Sequence, residues 1–206
     1  MNEVVYLVDD DPDVRDAMVF LLENERLPVR AFAEPQPLLD EVDGSSRGCL
    51  VLDVRLPQMD GLQLLEALRK RSVEMPAIFI SGHGDIPMAV RAVQAGALDF
   101  LEKPFRDEVL LEKVNNGLEL DRHARESHSE RLAVEQRLEE LTPREREVME
   151  GMLQGKLNKI IASDLDVSVR TVEVHRANVL DKIHARNSSD MVRMVLSTDR
   201  YRDWLL

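Results

Sequence analysis

The sequence predicts two structural classes in one chain: an α/β doubly wound domain with a five-stranded parallel sheet, followed by a small all-α domain of four helices. In the first half, short apolar runs alternate with segments whose apolar residues recur at three- and four-residue steps, as in strands and amphipathic helices. After residue 140 only the helical spacing remains. Strands that alternate with helices favour a parallel sheet covered by helices on both faces.

Five apolar runs predict the strands of this sheet, at residues 4–8, 28–32, 49–53, 77–81 and 98–101. They are rich in Val, Leu and Ile, as expected for buried parallel strands. The stretches VRDAMVFLLENE, GLQLLEALRK and PMAVRAVQAG between them carry the helical pattern. We assign the α/β domain to residues 1–118, which is long enough for a substantial core.

Charge is distributed unevenly along the 206 residues, whose formal net charge is −12. Residues 1–117 carry 22 acidic and 12 basic side chains, whereas residues 141–206 carry 10 and 11. This division favours two domains with different partners, and the net charge argues against a protein that coats nucleic acid non-specifically. No stretch approaches about 18 consecutive apolar residues, so we expect a cytoplasmic protein without membrane contact. The single cysteine, Cys49, is interpreted as a core residue.

Polar residues with related chemistry follow four of the predicted strands. Asp9 and Asp10 end the first, Asp53 the third and Ser81 the fourth, while Lys103 follows the fifth. In such sheets, functional residues gather beyond the carboxyl ends of the strands, so we expect these side chains to meet at one edge. For each of these residues taken alone, an ordinary loop residue is an equally good interpretation.

Together these residues suit phosphoryl transfer to a carboxylate. Asp9 and Asp10 can hold Mg²⁺, which prefers a few protein carboxylates and keeps other positions for water or phosphate oxygens. Asp53 can then act as the nucleophile and become an aspartyl phosphate. Lys103 and Ser81 can contact the phosphoryl oxygens.

Asp11 completes the run of three aspartates and has a different predicted role. It precedes Pro12, a residue suited to the first position of a helix, so we predict that Asp11 is the N-cap of the first helix. A peripheral role in the metal site is the alternative.

Residues 119–140 contain no Pro or Gly and are rich in helix formers, which predicts a solvated helical linker. A coiled coil would need sustained apolar heptads, and only Leu111, Val114, Leu118 and Leu132 fit one register. Dimerisation through this helix is therefore the weaker alternative.

Residues 141–206 predict four helices with a helix-turn-helix unit. Thr142 caps the first helix, Pro143 opens it, and it closes at Gly155. The short helix NKIIASDL and the turn DVS precede a longer helix, VRTVEVHRANVLDKIHA, which is capped by Ser168. The last helix is SDMVRMVLS.

The longer helix has one apolar face and one polar face. Val172, Val179 and Ile183 share the core side, whereas another group of residues points the opposite way, where a duplex could lie. That group is Arg170, Val174, Ala177 and Asn178. Thr171, Glu173, Arg176 and Lys182 flank it, within reach of phosphates or base edges. An ordinary amphipathic helix with solvated charges is the alternative.

The motifs VDDD, LDVRLPQMDG, ISGHGD and FLEKPF resemble the receiver domain of two-component response regulators. The resemblance implies that Asp53 is the phospho-acceptor, and that Asp10, Asp53 and the main-chain carbonyl of Arg55 bind Mg²⁺ with the help of Asp9. It also implies that Lys103 contacts the phosphoryl group.

The same resemblance implies a switch pair, Ser81 and Phe100, in which the ring turns inward as the hydroxyl engages the phosphoryl group. A plain core role for Phe100 is the alternative.

The block with LTPRE, NK-x-IA and TVEVHRANV resembles the LuxR/FixJ-type DNA-binding domain, and the whole chain resembles a FixJ-type transcriptional response regulator. Ile160 departs from the pattern, in which an acidic residue is frequent. The DNA contacts that we expect from this resemblance and from the helix faces are Lys159, Arg170, Thr171, Glu173, Val174, Arg176, Asn178 and Lys182.

The resemblance implies a transcription factor that is not an enzyme. A sensor histidine kinase would phosphorylate Asp53, and homodimers would then bind double-stranded DNA and activate transcription with RNA polymerase. A Mg²⁺-dependent phosphatase is one alternative, although Arg55 stands where such enzymes carry an acid. A receiver that controls a protein partner is another.

Overall fold

The computed structural model describes residues 3–82, 86–202 and 204. The chain divides into two compact units, Met1–Ala124 and Arg125–Leu206, which we call the first and second units. Among the described residues, no helix is long and apolar enough to cross a membrane.

The first unit contains a five-stranded parallel sheet in the order β2-β1-β3-β4-β5. The strands are β1 (Val4–Val8), β2 (Val29–Phe32), β3 (Gly48–Asp53), β4 (Ala77–Ser81) and β5 (Asp99–Glu102). The predicted parallel sheet is confirmed, and each predicted strand end lies within one residue of the observed end.

Within the described residues, a helix follows each of these strands, and the last helix extends beyond Ala124 into the second unit. The helices are α1 (Pro12–Asn24), α2 (Pro35–Glu41), α3 (Gly61–Lys70), α4 (Ile86–Gln94) and α5 (Asp107–Glu139). Alternate residues of β1 belong to different apolar clusters, Tyr6 and Val8 to one, Val5 and Leu7 to the other. Because successive side chains of a strand point to opposite faces, both faces of the sheet are covered, as predicted.

Local contacts bring two helix N-termini to the carboxyl edge of the sheet. Asp11 caps α1, since its side chain accepts hydrogen bonds from the main-chain nitrogens of Asp13 and Val14 at 2.9 and 3.4 Å. The predicted N-cap is therefore confirmed. At the start of α3, a Cβ on Gly61 would lie 2.3 Å from the carbonyl oxygen of Asp53. Only glycine allows this helix to begin so close to the end of β3.

Helix α5 continues through the segment that we predicted to be a linker. The helix is confirmed, but the prediction that it is solvated is wrong at several positions. Asp121 is buried and accepts a hydrogen bond from the Gly48 nitrogen at 3.2 Å within the first unit. Val134 and Leu138 are buried in the core of the second unit. Apolar side chains at four-residue spacing share one helix face, which explains why these two are buried together.

The second unit contains α6 (Pro143–Leu153), α7 (Asn158–Asp164), α8 (Val169–Ile183) and α9 (Ser188–Leu196). The predicted caps are confirmed: Thr142 forms a reciprocal capping box with Glu145, and Ser168 accepts a hydrogen bond from the Thr171 nitrogen at 3.0 Å. Val172, Val179 and Ile183 are buried, as predicted for the core side of α8.

Candidate functional site

Three carboxylates meet at the carboxyl edge of the sheet. Asp9 and Asp53 are buried and Asp10 is exposed, and one oxygen of each lies within 4.8 Å of the others. Asp9 and Asp10 follow β1 and Asp53 ends β3, which is the neighbour of β1 in the sheet. The parallel arrangement therefore brings together residues that are more than 40 positions apart in sequence.

Lys103 bridges two of these carboxylates. Its Nζ lies 2.6 Å from Asp9 Oδ2 and 2.6 Å from Asp53 Oδ2. Burial alone would lower the pKa of the Lys103 ammonium, but hydrogen bonds to Asp53 and Asp9 outweigh burial and raise this pKa above its ordinary value. Burial raises the pKa of the Asp9 carboxyl against the opposing contact with Lys103. We call Asp9, Asp10, Asp53 and Lys103 the acidic pocket.

Main-chain groups orient the carboxylates of the pocket. The Arg55 nitrogen donates a hydrogen bond to Asp53 Oδ1 at 2.9 Å, and the Asp11 nitrogen donates one to Asp9 Oδ1 at 3.0 Å. One oxygen of the Asp53 carboxylate therefore accepts a hydrogen bond from Lys103, and the other accepts one from the main chain just after β3. The predicted role of the Arg55 carbonyl as a metal ligand stays a prediction.

Arg15 is a pocket neighbour that the sequence analysis missed. From the first turns of α1 its guanidinium donates a hydrogen bond to the main-chain carbonyl of Asp9 at 2.7 Å. Arg15 therefore ties α1 to the strand end that carries two of the carboxylates. The only sequence feature that could indicate this contact is a basic residue one turn after the N-cap. Such residues are common on helices, so the feature is not specific.

The two residues of the predicted switch pair lie on adjacent strands. Ser81 is buried at the carboxyl end of β4, while Phe100, in β5, is partly buried and packs against the core cluster that includes Phe79. The arrangement fits either the switch or the plain core role of Phe100, so the switch stays a prediction. His83, Gly84 and Asp85 of the motif ISGHGD lie outside the described residues.

The donor chemistry of the acidic pocket fits a hard divalent cation. Three carboxylates supply the oxygen ligands that Mg²⁺ prefers, and the exposed position of Asp10 leaves one side of the pocket open to solvent. Lys103 balances part of the negative charge of Asp9 and Asp53. The pocket can therefore hold a metal ion beside a carboxylate that is oriented by main-chain contacts.

Most of the predicted DNA contacts lie on the surface of the helix-turn-helix unit, which comprises α7 and α8. Val174 is 54% exposed, and Lys159, Arg170, Glu173 and Asn178 are also exposed. Thr171 is partly buried, and its hydroxyl lies 2.7 Å from Ser168 Oγ at the cap. Ile160, the departure from the family pattern, is 49% exposed, and its neighbour Leu157 is 73% exposed.

Two basic residues among the predicted DNA contacts pair with other helices of the second unit. Lys182 Nζ lies 2.7 Å from Glu145 Oε2 and 3.2 Å from the carbonyl oxygen of Glu140. Arg176 donates a hydrogen bond to Ser188 Oγ at 3.1 Å. Burial would raise the pKa of Glu145, but hydrogen bonds from Lys182 and Thr142 outweigh burial and lower this pKa to about 2. Lys182 and Arg176 thus connect α8 to α6 and α9, and their contact with DNA stays a prediction.

Fold and site together define a two-domain regulatory protein, with an acidic pocket on a parallel α/β sheet followed by a helix-turn-helix domain. The family model for the response regulator receiver domain matches residues 5–115, and the model for bacterial regulatory proteins of the LuxR family matches residues 139–195. The chain therefore belongs to the two-component response regulators with a receiver domain and a LuxR-type DNA-binding domain, and it is a transcriptional regulator.

The chain is similar along nearly its whole length to known regulators. It is 40% identical to the transcriptional regulatory protein FixJ of Bradyrhizobium diazoefficiens over 199 residues, which is 97% of each chain. It is 42% identical to the response regulator protein TodT of Pseudomonas putida, over 98% of this chain and 88% of that one.

Two solved structures extend this similarity to the fold. The response regulator StyR superposes with a TM-score of 0.81 at 38% identity, over 95% of this chain and 98% of that one. Full-length FixJ from B. japonicum superposes with a TM-score of 0.60 at 40% identity, over 95% and 96%.

Proposed function

We propose that a sensor histidine kinase phosphorylates this regulator on Asp53, and that the phosphorylated form dimerises in the cytoplasm, binds DNA and activates transcription with RNA polymerase. The observation that carries the proposal is the bridge formed by Lys103, which holds the carboxylates of Asp9 and Asp53 together at the carboxyl edge of the sheet. The same chain carries an exposed recognition helix, so one polypeptide contains both a phosphoryl acceptor and an output surface.

The reaction joins the Asp53 carboxylate to a phosphoryl group from a phosphohistidine. The carboxylate oxygen forms a bond to phosphorus while the bond from phosphorus to the imidazole nitrogen breaks, and the imidazole leaves with the electron pair and takes up a proton. Mg²⁺, held by Asp9, Asp10, Asp53 and the Arg55 carbonyl, would neutralise the charge of the phosphoryl oxygens when bound. Lys103 supplies a further positive charge beside Asp53, and Ser81 supplies a hydroxyl at the same edge.

A groove beside the acidic pocket supports a protein donor for the phosphoryl group. It lies in the first unit between α1 and the segment after β5, has a volume of about 530 Å³ and is next to Lys103. Its walls are mostly apolar and include Val14, Ala17, Leu21, Pro104 and Phe105. Apolar surface beside a reactive site is typical of a docking surface for a protein partner.

The decisive test compares Asp53→Asn with Asp60→Asn in the full-length protein. Asn is isosteric with Asp but cannot form the acyl phosphate, and Asp60→Asn preserves the N-cap of α3 because Asn is also a good cap. With Mg²⁺ and a small phosphodonor, we expect phosphoryl incorporation and stimulated DNA binding in the wild type and in Asp60→Asn only. If Asp53→Asn kept phosphodonor-stimulated DNA binding, the proposal would be wrong.

A further inference from the structure

One side of α8 presents a continuous stripe of exposed side chains. At about 100° per residue these positions span about 140° of the helix surface, on the side away from the buried face. We call them the recognition stripe: Arg170, Glu173, Val174, Ala177, Asn178 and Asp181.

The charge of the recognition stripe is unusual for a surface that meets a polyanion. It carries one base, Arg170, and two acids, Glu173 and Asp181. The basic residues at its flank, Arg176 and Lys182, are held by Ser188 and Glu145. Electrostatic attraction to phosphates is the main source of non-specific affinity for DNA, and this stripe contributes little of it.

Within the described part of the chain, Glu173 has no side-chain partner that would explain its position. Neither Glu173 nor Arg170 forms an ion pair or a side-chain hydrogen bond there. A carboxylate on this face repels the DNA backbone, so it lowers affinity for every sequence unless it meets a hydrogen-bond donor. In the major groove, the amino group at N4 of cytosine is a donor that a glutamate can accept from.

We propose that Glu173 selects a cytosine in the operator by accepting a hydrogen bond from its N4 amino group. The inference rests on the proposed function, since it needs α8 to lie in the major groove. Glu173 lies within one helical turn of Arg170 and Val174, so we expect those two side chains to contact the neighbouring base pairs. Asn178 is more than one turn further along the same stripe.

The test is selection of bound sequences from a random DNA library by the full-length protein, with Mg²⁺ and a small phosphodonor. The variants are Glu173→Gln and Glu147→Gln. A glutamine pairs with N6 and N7 of adenine, so Glu173→Gln should replace the preference for C·G at one position of each half-site with a preference for A·T. The change in preference should be at least about fivefold, with the other positions unaltered.

Glu147→Gln is the matched control, because it makes the same substitution at an exposed side chain of α6 in the same unit, outside the recognition stripe. It should leave the selected bases unchanged. If Glu173→Gln behaved in the same way, Glu173 would act only through its charge and the inference would be wrong. Failure of the wild type to select any sequence would instead contradict the proposed function.

Discussion

Lys103 Nζ lies 2.6 Å from Asp53 Oδ2 and 2.6 Å from Asp9 Oδ2. Lys103 therefore bridges the two buried carboxylates of the acidic pocket. The contact with Asp53 joins the segment after β5 to the end of β3. In the sheet, β4 lies between these two strands. The ammonium offsets the repulsion between two carboxylates and stands where the charge of a phosphoryl group would develop. Its raised pKa keeps it protonated at neutral pH.

Replacing Lys103 with Gln should slow phosphorylation of Asp53 by about 100-fold, since the substitution removes a positive charge from the site where negative charge accumulates. The measurement is the initial rate of phosphoryl incorporation from a small phosphodonor in the presence of Mg²⁺. Lys113→Gln serves as the control, because Lys113 pairs with Asp99 and is not part of the acidic pocket. Equal rates for the two variants would rule out this role of Lys103.

Glu145 should make the stability of the second unit depend on pH. Its pKa of about 2 in the folded state lies below the ordinary value of about 4.3. The ionised carboxylate therefore stabilises the fold fully above about pH 4.3, and this contribution is lost as the pH falls towards 2. Glu145→Gln keeps the capping box, because Gln also suits this position, but loses the charge.

The sole tryptophan, Trp204, allows this prediction to be measured in the intact protein. Its ring packs 5.2 Å from that of the buried Tyr201, so its fluorescence reports unfolding of the second unit. We expect Glu145→Gln to lower the free energy of unfolding in urea by about 1–3 kcal/mol at pH 6 and by less at pH 3.5. A difference that stays constant between the two pH values would contradict the prediction.

Leu138 should contribute to the stability of the second unit although it belongs to the segment that looked like a linker. Its side chain is 3% exposed in the core of that unit. Leu138→Ala should cost about 2–5 kcal/mol, measured by Trp204 fluorescence in urea. Leu132→Ala, on the same helix at 43% exposure, should cost about 0.5 kcal/mol or less. Similar losses of stability in the two variants would contradict this prediction and favour a solvated linker.

Gly117 and Cys49 should show strong coupling in a double-mutant cycle. A Cβ on Gly117 would lie 2.6 Å from Cys49 Sγ, too close for two non-bonded atoms. In the wild type this clash should cost about 1–3 kcal/mol and outweigh the gain of about 1 kcal/mol from replacing glycine in a helix.

In the Cys49→Ala background the sulfur is absent, so Gly117→Ala should become stabilising. Urea unfolding followed by circular dichroism measures both effects. The same sign in both backgrounds would mean that the backbone, and not the cysteine side chain, limits this position.

Local patterns were sufficient for much of the fold. The apolar runs predicted the strands because a buried strand needs consecutive apolar residues, and the caps at Asp11, Thr142 and Ser168 were predicted because capping depends on residues only a few positions apart. The sequence also predicted which edge of the sheet collects the polar residues, since parallel strands end together.

Contacts between distant segments were not predictable in the same way. Lys182 on α8 pairs with Glu145 on α6, 37 residues away, and nothing in the local sequence of either helix indicates that contact. The buried Asp121 likewise accepts a hydrogen bond from the Gly48 nitrogen, 73 residues away. No local pattern encodes such pairs, because their geometry follows from the packing of whole elements.

By itself, then, the sequence determined the class of each domain, the helix caps and the set of residues at the sheet edge, all of which depend on short-range periodicity and residue chemistry. Only the tertiary structure decided which charges neutralise one another: Lys103 with Asp9 and Asp53, and Lys182 with Glu145. The physical reason is that an ion pair requires two side chains within a few ångströms, and that distance exists only after the elements have packed.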